Sequence, residues 1–178
     1  MQSPATVNLL ESFLHQPNIE ESPAWELING QAIQKPMPLL FHSVVQFNLT
    51  GDINRQTRAY YAVAELRCIV PPLSSVPDIS VIAVERLPEE DGPFVGAPDW
   101  IIEILSPAQS TLQLQAKIIH FLNAGTQLAW LIDTKRQQVW VWEGEELPHV
   151  CSAQESLPTL GIFENLTVSA VMDMTRRR

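Results

Sequence analysis

Asp78, Glu103 and Lys117 are charged residues set in apolar surroundings. Asp78 heads the run VPDISVIAV, Glu103 sits inside DWIIEIL, and Lys117 lies within TLQLQAKIIHFLNAG. A carboxylate on a hydrophobic strand is unfavourable unless a partner or a cation satisfies it. Two carboxylates and a lysine framed in this way form a candidate site for a hard divalent cation. Mg2+ takes one or two carboxylates and completes its shell with waters and phosphate oxygens. Lysine adds a compact positive charge that meets phosphate or orients water. The stretch from Val76 to Gly125 is therefore the centre of the chain's candidate chemistry.

The elements that must position these residues follow from hydrophobic spacing. Leu9, Leu10, Phe13 and Leu14 have helical spacing, and Pro17 stops that helix. In AWELINGQAI, Ala24 to Ile33, Asn29-Gly30 between alternating arms predicts a hairpin with Glu26 on its first arm. A helix is expected over His42 to Ile53, with Val44, Val45, Phe47, Asn48 and Leu49 on or near its packed face. His42 stands at its start, either facing a site or simply opening the helix. RAYYAVAELRCIV, Arg58 to Val70, reads as strand-rich, with Tyr61, Val63 and Glu65 on one face. A loop is expected at Pro71 to Ser75, then a strand over Val76 to Val84 and an acidic Pro/Gly loop over Leu87 to Pro98. The next strand is Asp99 to Leu105. Its period of two turns Ile101, Glu103 and Leu105 one way and Trp100, Ile102 and Ile104 the other.

Ser110 and Gln113 have capping-box spacing, so a helix runs from there to about Asn123, with Gly125 at its C-terminal end. LAWLID and QQVWVWE are two strands joined by a short turn, with their tryptophans as sheet packing. Asp99 and Asp133 read as loop or turn residues at strand ends. Pro148 to Thr159 reads as irregular, and Leu160 to Met174 as a short terminal element. The strand-helix-strand step from Glu103 through Lys117 to LAWLID has the length of a parallel crossover. The fold class is α/β (α+β), with a central mixed sheet flanked by helices and an N-terminal hairpin and helix.

Bulk properties constrain partners. At 178 residues, 46% hydrophobic and 17% charged, the chain is expected to fold around a core and not to be disordered. A net charge of −9 argues against a generally basic nucleic-acid binder, although a local patch can oppose the global sign. Cys68 and Cys151 have no metal-type spacing and fit a reducing cytoplasm. MQSPATVNLL has no signal-peptide pattern, and no apolar run approaches membrane-spanning length.

VPDISV, GAPDWIIEILSP, a helix with an inward lysine, and GTQLAWLID, in that order, resemble the Uma2 family of restriction-endonuclease-like proteins. AWELINGQAI, KPMPLLFHSVVQ and AELR are similar to it as well, so the resemblance spans roughly Pro23 to Gly144. It implies the PD-(D/E)XK nuclease superfamily, a central mixed sheet flanked by helices, and Mg2+- or Mn2+-dependent hydrolysis of DNA phosphodiester bonds. It also implies a homodimer. On this resemblance Pro77 and Asp78 match the first motif, Glu103 the second acid, and Ile104 the variable position. Leu105 stands where the superfamily has its lysine, and Lys117 takes the relocated lysine's place. Asp78 and Glu103 are then the metal ligands, with the carbonyl of Ile104 as a further one. Glu65, Glu26 and His42 form a second tier. Gln115 or Gln113 lines the site, Gln113 better suited to the cap. The Glu26 match is to a helical region, in conflict with the hairpin. The implied domain covers residues 23–174, between a helical extension over 1–22 and a basic tail over 175–178.

Local alternatives stay open. Asp78 after Pro77 also fits a turn, Glu103 an exposed sheet edge, and Lys117 a snorkelling helix lysine. A non-catalytic nucleic-acid-binding or protein-interaction relative, or a phosphodiesterase with a non-DNA substrate, uses the same scaffold.

Overall fold

The computed structural model describes residues 4–107, 109–144 and 147–176, with side chains from Asn8 onward. The N-terminal helix α1 is Pro4–Leu14. The hairpin follows as β1, Trp25–Ile28, and β2, Gln31–Gln34, with Asn29 and Gly30 both at positive φ (51° and 75°) as its tight turn demands. Helix α2 is Leu40–Gln56, longer at both ends than the apolar pattern suggests. It buries His42, Val45, Leu49 and Ile53, a clean one-turn spacing, whereas Phe47 projects outward at 79% exposure. Phe47 is thus not a packing residue of this chain.

The expected long strand over Arg58 to Val70 is broken in two. β3, Tyr60–Ala64, and β4, Cys68–Val70, belong to different sheets. The break falls at Glu65, whose φ of +54° turns the chain out of extended geometry. Glu65 therefore does not share a strand face with Tyr61 and Val63. The loop expected at Pro71 to Ser75 contains β5, Leu73–Ser75, and the acidic loop contains β7, Phe94–Val95. β6 is Ile79–Ala83, β8 is Trp100–Ile104, α3 is Thr111–Asn123, β9 is Leu128–Asp133 and β10 is Gln138–Trp142. The segment expected to be irregular carries β11, His149–Ser152, and β12, Ser156–Leu157. β13, Leu166–Thr167, helix α4, Val168–Asp173, and a 3-10 turn at Met174–Arg176 close the description. Residues 177–178 of the expected basic tail lie outside the described residues.

The main sheet has six strands in the order β11-β10-β9-β8-β6-β3. Only β8 and β9 pair in parallel, through the α3 crossover, so the sheet is mixed. β8 and β9 are buried at every position, which is why they read as unbroken apolar runs. One face of the sheet packs Trp100, Ile102 and Ile104 with α2 and α4. The other packs Ile101 and Leu131 against Leu114, Ile118 and Phe121 of α3. A second sheet, β2-β1-β5-β4-β7, brings the hairpin beside α3. A third, of β12 and β13, has two strands.

Arg67, in the break between β3 and β4, fastens the second sheet to the N-terminal segment. It is 4% exposed. Its guanidinium donates to Ser74 Oγ, to the carbonyls of Ile19 and Trp25 (each at 2.9 Å) and to Glu20, and it lies over the Phe13 ring. Truncating it leaves buried acceptors without donors. Arg67→Ala is expected to lower unfolding stability by about 3 kcal/mol, read by urea titration. Arg67→Lys should recover little, because one ammonium cannot reproduce the planar fork.

Candidate active site

Sheet register brings the two acidic strands together. β6 and β8 are antiparallel with Ile79 opposite Ile102, and continuing that register sets Asp78 opposite Glu103. Ile104 donates its backbone N–H to Asp78 Oδ2 at 2.7 Å. Period two on β8 points Glu103 toward α3, as the sequence predicts, where Lys117 waits on the helix's buried face. Ser110 caps that helix by accepting from the Gln113 N–H, and Gly125 follows its end at φ +113°. Asp99 and Asp133 belong to other networks. Asp99 accepts from the Ala83 N–H and pairs with Arg86, while Asp133 closes the turn to Arg136.

Lys117 and Glu103 are 2% and 1% exposed. Lys117 Nζ lies 2.7 Å from Glu103 Oε1 and donates to Glu26 Oε1 at 2.7 Å. The contact with Glu103 has ionic distance without hydrogen-bonding geometry, so Glu103 Oε1 has no hydrogen-bond partner among the described residues. Glu26 is far better satisfied. It also accepts from Ser75 Oγ and from the Val76 N–H, both at 2.7 Å. It does this from strand β1, so the hairpin reading holds and the helical placement implied by the family likeness does not.

A second lysine, unnoticed in the sequence, completes the cluster. Lys35 follows β2 and donates to Asp78 Oδ1 (2.9 Å), Glu65 Oε2 (2.8 Å) and the Val76 carbonyl (2.8 Å). His42 Nε2 stands 3.4 Å from the same Asp78 oxygen. Gln46, one turn after His42 on α2, donates to Glu65 Oε1 and to the Asp78 carbonyl. His42 and Gln46 share a helix face, a signal the sequence did carry. Lys35 offered none, because a lysine between a hairpin and Pro36 looks like a solvated surface residue. Ile104 contributes its N–H to Asp78. Gln115 is half-buried on α3 and lines neither half of the cleft described below, whereas Gln113 lines one half.

Burial drives the two central carboxylates toward the neutral form, and their partners decide the outcome. At Asp78 the charges and hydrogen bonds of Lys35 and His42 outweigh burial and hold the carboxyl far below its usual range. At Glu103 burial wins over the attraction of Lys117, Asp78 adds repulsion, and the carboxyl is pushed up to about 7. Glu26 is lowered because Lys117 and Lys35 together overcome its burial. Burial lowers Lys117, but Glu103 and Glu26 more than compensate and raise it. Lys35 is raised in the same way by Asp78, Glu103 and Glu65.

Four carboxyl groups thus meet two ammonium groups, an excess of two negative charges when Glu103 is ionised and before His42 is counted. His42, Glu65 and Asp78 each offer a ligand atom, all within 4.8 Å of one another. This charge excess and the oxygen-rich donors fit a hard divalent cation. The cluster opens on a cleft that Lys35, Pro36 and Gln109 divide. One half, about 230 Å3, is lined by Glu26, Lys117 and Gln113; the other, about 190 Å3, by His42, Gln46, Glu65 and Asp78. Each is below the roughly 300–1,000 Å3 of a small-molecule pocket. The shape suits a groove that admits part of a larger substrate.

The profile of the Uma2 family, described as "Putative restriction endonuclease", matches residues 10–171. A crystal structure from Anabaena variabilis, described as "a putative nuclease belonging to DUF820", is similar to the chain with a TM-score of 0.86 and 37% identity. The likeness covers 93% of this chain and 98% of that one. No curated protein matches. Among the described residues, no helix is long and apolar enough to cross a membrane.

The opposite shifts of Asp78 and Glu103 give opposite pH signatures in metal-free protein. Glu103 is raised in the fold, so its folded form is best tolerated below its ordinary 4.5 and is penalised as pH rises toward about 7. Glu103→Gln removes that penalty but leaves buried Lys117 to Glu26 alone, so its stability relative to wild type should rise by about 2–3 kcal/mol from pH 4 to pH 8, whatever its starting offset. Asp78 is lowered, so its contribution is present above its ordinary 3.8 and is lost as pH falls further. Asp78→Asn should destabilise at neutral pH, by about 2–4 kcal/mol, and progressively less in acid. Urea unfolding in EDTA across this pH range reads both; equal pH slopes for the two variants would contradict the assignment.

Proposed function

The chain belongs to the Uma2 family, and from that premise we propose that it is a metal-dependent endonuclease hydrolysing DNA phosphodiester bonds. The observation that carries this reading is the buried, oxygen-rich cluster with two uncompensated negative charges at the wall of an open cleft. Residues 23–174 form the nuclease domain, with 1–22 as an N-terminal extension and 175–178 as a basic tail. Asp78 and Glu103 hold Mg2+ or Mn2+, the Ile104 carbonyl serves as a further ligand, and Glu65 and His42 border the ion. When bound, the ion supplies charge to the scissile phosphate and a more acidic water. Lys117 favours the ionised form of Glu103 against burial and orients the attacking water, and Glu26 fixes Lys117 in that position. Asp78 stays ionised throughout, so it holds its ligand position without a proton to lose. Gln46 holds the Glu65 carboxylate over the cleft. Two copies act together as a homodimer, one for each strand. Free, buried Cys68 and Cys151 suit a reducing cytoplasm.

The net charge of −9 favours a second reading, a relative that has lost cleavage and serves in binding. Supercoiled plasmid distinguishes the two. The wild type is expected to nick or linearise it with Mg2+ or Mn2+ and to leave it intact in EDTA. Asp78→Ala, Glu103→Ala and Lys117→Ala should each lose about 100-fold or more. Salt-sensitive DNA retention without cleavage under either metal would favour the binding relative. Cleavage that persists in both carboxylate variants would mean the site is elsewhere. RNA and a small phosphodiester, assayed alongside, sort the substrate class, and light scattering of the purified protein tests the dimer.

A further inference from the structure

Lys35 is surrounded as a metal ion would be. Its ammonium has three donors, and all three are taken: Asp78 Oδ1, Glu65 Oε2 and the Val76 carbonyl, at 2.8–2.9 Å. Two carboxylates and a main-chain carbonyl are the ligand types of a hard divalent cation. The lysine side chain is 7% exposed, so it is not a surface group that leans in occasionally. Asp78 Oδ2 accepts from the Ile104 N–H, and Oδ1, which faces the cleft residues, is where Lys35 and His42 stand. Lys35 also lines both halves of the cleft and forms part of the divide between them. Its backbone anchor is firm, since its N–H donates to the Ala24 carbonyl at 2.9 Å, and its long, unbranched side chain ends at the cleft, where another rotamer would carry the ammonium out.

We propose that Lys35 is a built-in counter-cation that occupies the divalent-ion position at Asp78 and Glu65 and is displaced into the cleft when the ion binds. The inference rests on the reading of Asp78 as a metal ligand. Lys35 is here a positioning residue: without the ion it keeps Asp78 and Glu65 ionised and in place, and it sets a threshold that the ion must exceed. Competition has a definite sign. Removing a merely structural lysine loosens a site and weakens metal binding, whereas removing a competitor strengthens it.

Mn2+ titration of the full chain at neutral pH, with free Mn2+ read by electron paramagnetic resonance, tests this. Lys35→Met, which keeps length and removes charge, should bind Mn2+ at least about tenfold more tightly than wild type. Lys35→Arg should not. Equal or weaker binding by Lys35→Met, with wild type still binding, overturns the counter-cation role and leaves the nuclease reading standing. Mn2+ binding that is absent from wild type and Lys35→Met, or unchanged by Asp78→Asn, overturns both. The wild type supplies a readout that needs no variant to fold. Its lysines are only Lys35, Lys117 and Lys135, so the side-chain carbon signals of 13C-lysine protein are few. Saturating Mg2+ should move the Lys35 signal strongly and leave Lys135 in place; a Lys35 signal unmoved by bound Mg2+ overturns the proposal.

Discussion

Keeping Asp78 ionised inside the protein is the constraint around which the rest is arranged. Desolvation alone makes a buried carboxylate neutral. Here the hairpin delivers Lys35, α2 delivers His42, and the neighbouring strand delivers the Ile104 N–H. These three come from separate parts of the chain, so the fold that buries the carboxylate also assembles the partners that keep it ionised there. Glu65 leaves extended geometry at the same place, and its side chain closes over Lys35 while its N–H returns to the Asp78 carbonyl. The break between β3 and β4 is thus part of the site and not an accident of the sheet. Once the chain has turned there, Arg67 must be buried, and its fork ties the N-terminal segment to the second sheet.

The parts of this arrangement that were legible in the sequence depended on period and order. Glu103 interrupts a run that is apolar on both faces, so alternation sets it on the side of Ile101, and the structure shows that side to be the one packed by α3. Asp78 and Lys117 gain meaning from their order around it. Asn29-Gly30 encodes its turn by backbone conformation and needs no tertiary help. What stayed hidden is set by distant contacts. Lys35 meets Asp78 across 43 positions, and nothing next to Lys35 announces burial. RAYYAVAELRCIV has strand composition throughout, and only competition between two sheets breaks it at Glu65. Phe47 reads as core by composition, yet α2 spends its buried stripe on His42, Val45, Leu49 and Ile53. Gln115 and Gln113 lie two apart on one helix, so both cannot face the cleft, and capping geometry selects Gln113.

The charge of the whole molecule bears on how a phosphate could enter the cleft. A nucleic-acid backbone approaching a protein of net charge −9 meets repulsion everywhere except at local positive groups. Lys35 and Lys117 sit at the cleft, but each is already neutralised by carboxylates at contact distance. They leave no net positive charge for a phosphate. On the proposed reading, a bound divalent cation would offset the excess of the carboxylates and leave ammonium charge for a phosphate in the cleft.

The two central carboxylates then divide the work by environment. Asp78 is over-satisfied, with both oxygens engaged and its proton driven off. Glu103 is under-satisfied, with one lysine at ionic distance, a neighbouring negative charge and a carboxyl pushed up to about 7. Paired acids driven apart in this way are a mark of sites built for chemistry and not for stability. A neutral glutamine in place of Glu103 removes its repulsion with Asp78 but also takes away a counter-charge of buried Lys117. On the proposed reading, a cation beside Glu103 would relieve its burial and its repulsion with Asp78, while Lys35 already holds Asp78 and Glu65; affinity for the ion would then be the balance of the two.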